Sequence, residues 1–165
     1  MSVILRAIVF AGLFIGIVLV ALPYSIIGRE IRAPVPIPLR ALGLLLAAVG
    51  AAVVLSCLRD FVVRGRGTPA PWDPPRRLVV AGLYRYVRNP MYVGALALLA
   101  GEGILFGSRN VLLYTGFFWI ATHLFVLIYE EPHLERAFGG AYEEYRSAVP
   151  RWLPRLRPWT PREIS

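Results

Sequence analysis

Apolar residues run along this chain in four long blocks separated by short polar or proline-rich breaks, and block length sets the expected architecture. Residues 7–22 carry no charge, and with Val3, Ile4 and Leu5 around Arg6 they make a stretch of about 20 residues, enough to cross about 30 Å of hydrocarbon. The second block, residues 41–58, is rich in Gly, Ala and Leu, with Gly43 and Gly50 suited to close helix contact. A third covers residues 91–107, broken only by Glu102. Ser108-Arg109-Asn110 then turns the chain into a fourth, residues 111–129, so these two predict a tight antiparallel hairpin. Residues 59–90 form a polar connection, in which the glycines and prolines between Gly65 and Pro75 forbid regular helix. In the tail, residues 130–165, Leu134, Phe138, Tyr142 and Tyr145 recur at helical spacing and predict an amphipathic helix interrupted at Gly139-Gly140. Pro150, Pro154, Pro158 and Pro161 end regular structure beyond it. The expected fold is all-α: a single polytopic membrane domain over residues 1–165, with about four transmembrane helices and a cytosolic C-terminal amphipathic segment.

Composition sharpens this picture. Of the 165 residues 57% are hydrophobic and 17% charged, against roughly 45–50% and 25% in ordinary soluble domains. A disordered chain is excluded, and a soluble enzyme is disfavoured. The net charge of +8 comes from 18 basic residues, all of them Arg. They are dispersed between apolar blocks and not gathered into a stripe, so no nucleic acid partner is expected. With four spans, fourteen Arg fall on the side of both termini and the connection, and four on the other. The positive-inside rule therefore predicts an integral protein of a prokaryotic inner membrane with both termini cytoplasmic. No small-x-small cleavage site follows Ala21-Leu22-Pro23, so the first block reads as a span and not a cleaved leader. Cys57 alone excludes an intrachain disulfide, and with only His123 and His133 beside it no metal site is expected.

Two segments concentrate polar groups at the cytosolic ends of the hairpin. Asn89 before Pro90 predicts a helix start, the Asn side chain capping free amides and Pro occupying the first helical position. Such a start favours an anion, and Arg88 stands beside it. Glu130 and Glu131 precede Pro132, which disfavours helical geometry at Glu131 and so predicts a kink or helix end at the pair. There the helix dipole opposes negative charge, which points to a ligand with hydroxyls or positive charge, and loss of either charge should leave folding intact. Glu102 and His123 are the ionisable groups within the spans and functional candidates by default. Their depths, about 16 Å from Met91 and about 9 Å from Tyr129, do not make them partners.

Arg88-Asn89-Pro90-Met91-Tyr92-x-Gly94, the apolar hairpin, Glu130-Glu131-Pro132, and Phe138-Gly139-x-x-Tyr142-x-x-Tyr145-x-x-x-Val149-Pro150 occur here in order. Together they resemble the integral membrane methyltransferases of the isoprenylcysteine carboxyl methyltransferase and phospholipid N-methyltransferase group. The likeness covers about residues 78–154. It implies a small helical membrane enzyme that holds S-adenosyl-L-methionine in a cytosolic pocket under the C-terminal segment, with the lipophilic acceptor arriving from the membrane lipid bilayer. By this resemblance the stretch from Arg76 through Leu78 and Val79, with Tyr84, Asn89, Pro90, Met91, Tyr92 and Glu130, falls at cofactor-contact positions, and Glu131 stands beside them. The cofactor carboxylate would meet the helix start. Its ribose hydroxyls and ammonium would meet Glu130 and Glu131, and the rings of Tyr84 and Tyr92 would suit adenine or the sulfonium.

The sequence departs from that pattern in places. Asn89 stands where many carboxyl methyltransferases of this type have His, and Val126 stands where they have an acceptor-associated Arg. Asn-Pro-Met-Tyr is closer to the phospholipid branch, yet Gly101-Glu102-Gly103 lies downstream of Asn89, where it does not match that branch's upstream Gly-x-Gly. The acceptor is therefore open, and no general base is nominated. A nicotinamide-dependent membrane reductase and a non-catalytic four-span accessory protein stand as alternatives.

Overall fold

The computed structural model describes Leu5, Val9 and residues 12–29, 34–65 and 78–160, and among these residues it is helical without a strand. The helices are α1 (Phe14–Ile27), α2 (Ile37–Arg64), α3 (Pro90–Phe106), α4 (Arg109–Phe138) and α5 (Gly140–Ala148). A 3₁₀ turn, Gly82–Arg85, precedes α3. Helices α2 and α4, with 28 and 30 residues, are long and apolar enough to cross a membrane, whereas α1 and α3 are shorter apolar helices. Residues 66–77, which include most of the proline-rich connection with Arg76 and Arg77, lie outside the described residues, as do residues 161–165.

Two helices run through prolines, and at one of these, Pro132, the sequence predicts a kink or helix end. α1 continues through buried Pro23 to Ile27, and α4 continues through Pro132 to Phe138. Both prolines follow π-helical turns, Phe14–Ala21 and Val126–Glu130. The residue before each proline donates its N–H five residues back, Leu22 to Ile17 O and Glu131 to Val126 O. A widened turn moves aside the carbonyl with which the proline ring would clash. Glu131 is accordingly helical at φ −61°, ψ −46°, so of the kink or end expected at the acidic pair, the end is corrected. The carboxylates sit within a continuous helix, and the dipole penalty expected there does not apply. α4 stops only at Gly139, whose φ of 52° and ψ of −129° suit glycine alone.

The centre of the fold is the antiparallel contact of α2 with α3. Gly43 faces Gly101 and Leu105, and Gly50 faces Gly94 and Leu98. A Cβ at Gly43 would lie 2.6 Å from Leu105 N and 2.9 Å from Gly101 O, and one at Gly50 would strike Leu98 N and Gly94 O. Ala47 sits between them against Gly101. Small residues seven apart thus let two backbones touch, as expected for Gly43 and Gly50. The α3–α4 hairpin closes at Gly107 (φ 63°) and Ser108, whose side chain accepts from Val111 N at 3.2 Å. Leu19, Val54, Cys57, Ala95, Leu99 and Phe118 belong to the core. Outward, large apolar side chains such as Leu45, Val63, Leu113, Phe117 and Ile128 are bare. A surface of that kind is suited to lipid.

α2 runs beyond the expected boundary at Leu58. Asp60 is buried, pairs with Arg64 at 3.5 Å, and lies against Gly82 (φ 54°), where a Cβ would strike its carboxylate. This fixes the loop before α3 onto the end of α2. A second apolar cluster, centred on Tyr142, Tyr145 and Val149 with Leu78, Val80, Leu134, Phe138 and Trp159 around them, packs the tail against that loop.

Candidate functional site

The segment 149–160 folds back along residues 84–89 as a strap held by backbone and side-chain bonds. Arg88 N donates to Pro150 O, Arg155 N to Tyr86 O and Trp159 N to Arg85 O, each at 2.9 Å. Arg85 reaches back with Nε to Trp159 O and Nη2 to Thr160 Oγ1, both at 2.7 Å. The hydroxyl of Tyr145 donates to Tyr84 O at 2.7 Å, and burial pushes that phenol well above its ordinary pKa, so it remains a donor. Asn89 precedes α3 as expected, with Pro90 first in the helix, but its side chain makes no cap. Instead Nδ2 donates to Arg151 O at 3.2 Å. The capping expectation is corrected: the side chain of Asn89 is engaged by the strap's carbonyl instead.

Beneath the strap lies a charge cluster. Arg151 grips Glu131 with two parallel bonds, Nε to Oε1 at 2.7 Å and Nη2 to Oε2 at 2.9 Å. Arg88 Nη1 lies 2.9 Å from the same Oε1 and 3.2 Å from the Tyr142 hydroxyl, to which it donates. The side chains of Arg88 and Glu131 are only 9% and 10% exposed. Such a pair depends on both partners, because either one left alone is a buried charge. Glu131 is therefore no solvated surface carboxylate, and its oxygens are occupied by guanidinium groups.

Glu130, one helical step away, faces different chemistry. It is half-buried, and among the described residues its bonding partner is the Tyr92 hydroxyl, which donates to Oε2 at 3.3 Å. One further polar atom stands out, since Arg88 Nε is buried with no bonding partner among the described residues. A half-used acceptor thus lies on Glu130, and an orphaned donor on Arg88, the partner of its chain neighbour Glu131. Buried polar atoms in native proteins are overwhelmingly satisfied, which makes such an orphan informative.

The other expected residues divide between this junction and the core. Leu78 packs against the Tyr142–Tyr145–Val149 cluster. Val79, Tyr84 and Met91 are buried in the central core, and Pro90 is buried at the start of α3. The Tyr84 ring sits edge-on to Phe61 at 5.5 Å, and its hydroxyl meets Cys57. Glu102 and His123 stay apart, as their depths implied. One oxygen of Glu102 is buried without a partner among the described residues. His123 Nδ1 accepts from Trp152 Nε1 at 3.0 Å, with Trp119 stacked at 5.6 Å. Sequence reasoning missed Arg151, whose signal was a lone Arg directly after Val149-Pro150, too common in this Arg-rich tail to single out.

Over 78 residues the chain is 37% identical to protein-S-isoprenylcysteine O-methyltransferase of Schizosaccharomyces pombe, covering 47% of this chain and 33% of the relative. Over 87 residues it is 33% identical to phosphatidylethanolamine N-methyltransferase 1 of Vanderwaltozyma polyspora, covering 51% of this chain and 10% of that protein. The chain thus spans a third or less of the length of either relative. No solved structure matches it. The phospholipid methyltransferase family matches residues 39–141, from the start of α2 to the start of α5 and so through the glycine seam, Asn89-Pro90 and the acidic pair, and the chain belongs to that family.

Proposed function

We propose that this protein is an integral membrane methyltransferase that moves a methyl group from S-adenosyl-L-methionine to a lipid-like acceptor at the cytosolic face. In this reading α1 to α4 all span the bilayer, and both termini and the strap are cytoplasmic. The observation that carries it is Glu130, bonded only through Tyr92 among the described residues and one helical step from Glu131, whose partner Arg88 keeps a buried Nε without a bonding partner among those residues. S-adenosyl-L-methionine offers an ammonium and ribose hydroxyls for the carboxylate, and a carboxylate for the guanidinium donor and the helix start at Asn89-Pro90. The residues present fit that group.

When bound, the cofactor supplies an electrophilic methyl group on a sulfonium. The protein's part is alignment and exclusion of water, and orientation contributes as much as roughly 7–11 kcal/mol in favourable cases. Glu130 and Tyr92 orient the ligand. Asn89, Arg88, Glu131 and Arg151 hold the strap over it, so Glu131 is a positioning residue. Leu78, Val79, Tyr84, Pro90 and Met91 support the wall from the core side. The names of the relatives offer two acceptors, an isoprenylcysteine and a phosphatidylethanolamine. Each has a lipophilic body that suits entry from the bilayer along the bare faces of α2 and α4.

Calorimetric titration of detergent-purified protein with the methyl donor tests this reading. A hydrogen bond to a charged group contributes roughly 1.5–3 kcal/mol, so Glu130→Gln should weaken donor binding about ten- to a hundredfold with little change in thermal midpoint. Wild-type affinity in that variant removes the main support for the assignment. The orientation has its own check: a cysteine placed at Thr160 should escape membrane-impermeant thiol reagents added outside intact cells.

A further inference from the structure

The strap has an outer surface that the methyl-transfer reading does not use. Its inward side is fully engaged: Arg151 on Glu131, Trp152 on His123, Arg155 Nη1 on Ala148 O at 2.8 Å, and Trp159 against Tyr145 at 5.7 Å. Between these contacts stand Leu153, 78% exposed, and Leu156, 99% exposed. Arg157 beside them is exposed too. One bare leucine on a surface means little. Here the two follow closely on Trp152, which touches α4 at His123, seven residues and so about 10 Å along the helix axis from Glu130, toward the apolar block. The contact is also continuous with bare apolar residues of α4: Trp119 stacks on His123, and Ile120 and Leu124 adjoin it in sequence.

We propose that the strap is itself a membrane-seated element, with Leu153 and Leu156 inserted at the bilayer interface beside α4 and Arg157 at the level of the lipid phosphates. The occupant of this surface is the phospholipid bilayer around the protein. Two arguments select it. The exposed leucines extend the lipid-facing surface of a helix long and apolar enough to span, and the alternation of leucine with arginine matches an interface that is apolar on one side and anionic on the other. The Trp152 indole, with an apolar body and an N–H directed to His123, belongs at the same level. The inference rests on the membrane reading of the fold but needs neither the donor nor turnover. Its functional consequence is that the wall closing the Glu130 site is coupled to lipid, so a lipophilic acceptor approaches beneath a strap already resting in its own phase.

The experiment uses the full-length protein in nanodiscs of phosphatidylcholine and phosphatidylglycerol. Single cysteines at Leu153, Leu156 and, as a control, exposed Ser147 on α5 are labelled with an environment-sensitive fluorophore, and native Cys57 is buried and stays unlabelled. Labels at 153 and 156 should emit to the blue of the label at 147. They should be quenched several-fold more by nitroxide-bearing lipid than by aqueous iodide, with the order reversed at 147. If 153 and 156 quench like 147, or are shielded from both quenchers as under a bound protein, the proposal is overturned. Thermal midpoints of the three labelled proteins verify folding. Donor titration of the same samples reports on the methyltransferase assignment separately, so either idea can fail alone.

Discussion

The seam between α2 and α3 and the junction between the strap and the loop before α3 join elements by opposite means. In the seam, side chains are almost removed: Gly43, Ala47 and Gly50 meet Gly94 and Gly101, and backbone touches backbone. At the junction, long side chains do the joining, with Arg85, Arg88, Asn89, Glu131 and Arg151 reaching across between segments more than fifty residues apart in most cases. On the proposed membrane reading, the difference follows from the surroundings. In lipid there is no hydrophobic gain from bringing two apolar helices together, so close van der Waals fit must hold them. Where the chain meets water, charged groups reach their places at a lower desolvation cost and can be paired once there. The seam is therefore intolerant of size, and the junction intolerant of losing one partner.

The largest effect is expected in the seam. Gly50→Leu would drive a branched side chain into the backbone of Leu98 and Gly94, and overpacking of this kind costs about 1–3 kcal/mol even where side chains can yield. Here the obstacle is backbone, so the variant should fail to give a cooperative unfolding transition in detergent. A wild-type melting profile would show that the two helices do not touch as described.

Next comes the junction. Glu131→Gln leaves Arg88 buried without its counter-charge, and breaking a buried pair costs about 3–5 kcal/mol, at the lower end here because Arg151 is 30% exposed and can turn outward. The thermal midpoint should fall clearly. Glu130→Gln, its neighbour, should leave the midpoint nearly unchanged while losing donor affinity. This contrast reverses the sequence-based expectation that either charge could be removed without harm to folding.

A smaller effect is expected at Asn89. Both Asn89→Leu and Asn89→Asp lose the donor to Arg151 O, about 1 kcal/mol, and should speed amide hydrogen exchange in residues 151–156. A helix cap would instead be preserved by Asp, so equal exchange in Asn89→Asp and wild type would restore capping.

The smallest change returns to glycine. Gly116 on α4 is exposed with open space where a Cβ would go, so Gly116→Ala should stabilise by no more than about 1 kcal/mol. The same substitution at Gly101 should destabilise. Matching signs at the two positions would remove the distinction drawn between seam and outer face.

The sequence by itself determined what depends on counting and spacing. Apolar block length gave the helices, Gly43 and Gly50 announced a close contact, Gly139-Gly140 marked the break before α5, and three ordered motifs led to the family that the comparison also finds. These are local or additive properties, legible residue by residue. Only the tertiary structure decided how the polar groups are spent. The proline rule alone ended α4 too early, because a widened turn that removes the clash depends on bonds between neighbours and not on the identity of one residue. The two glutamates look alike in the chain. They differ because a helical step of about 100° turns Glu131 toward Arg88 and Arg151 and Glu130 toward Tyr92, and both arginines come from distant segments whose arrival no spacing rule encodes.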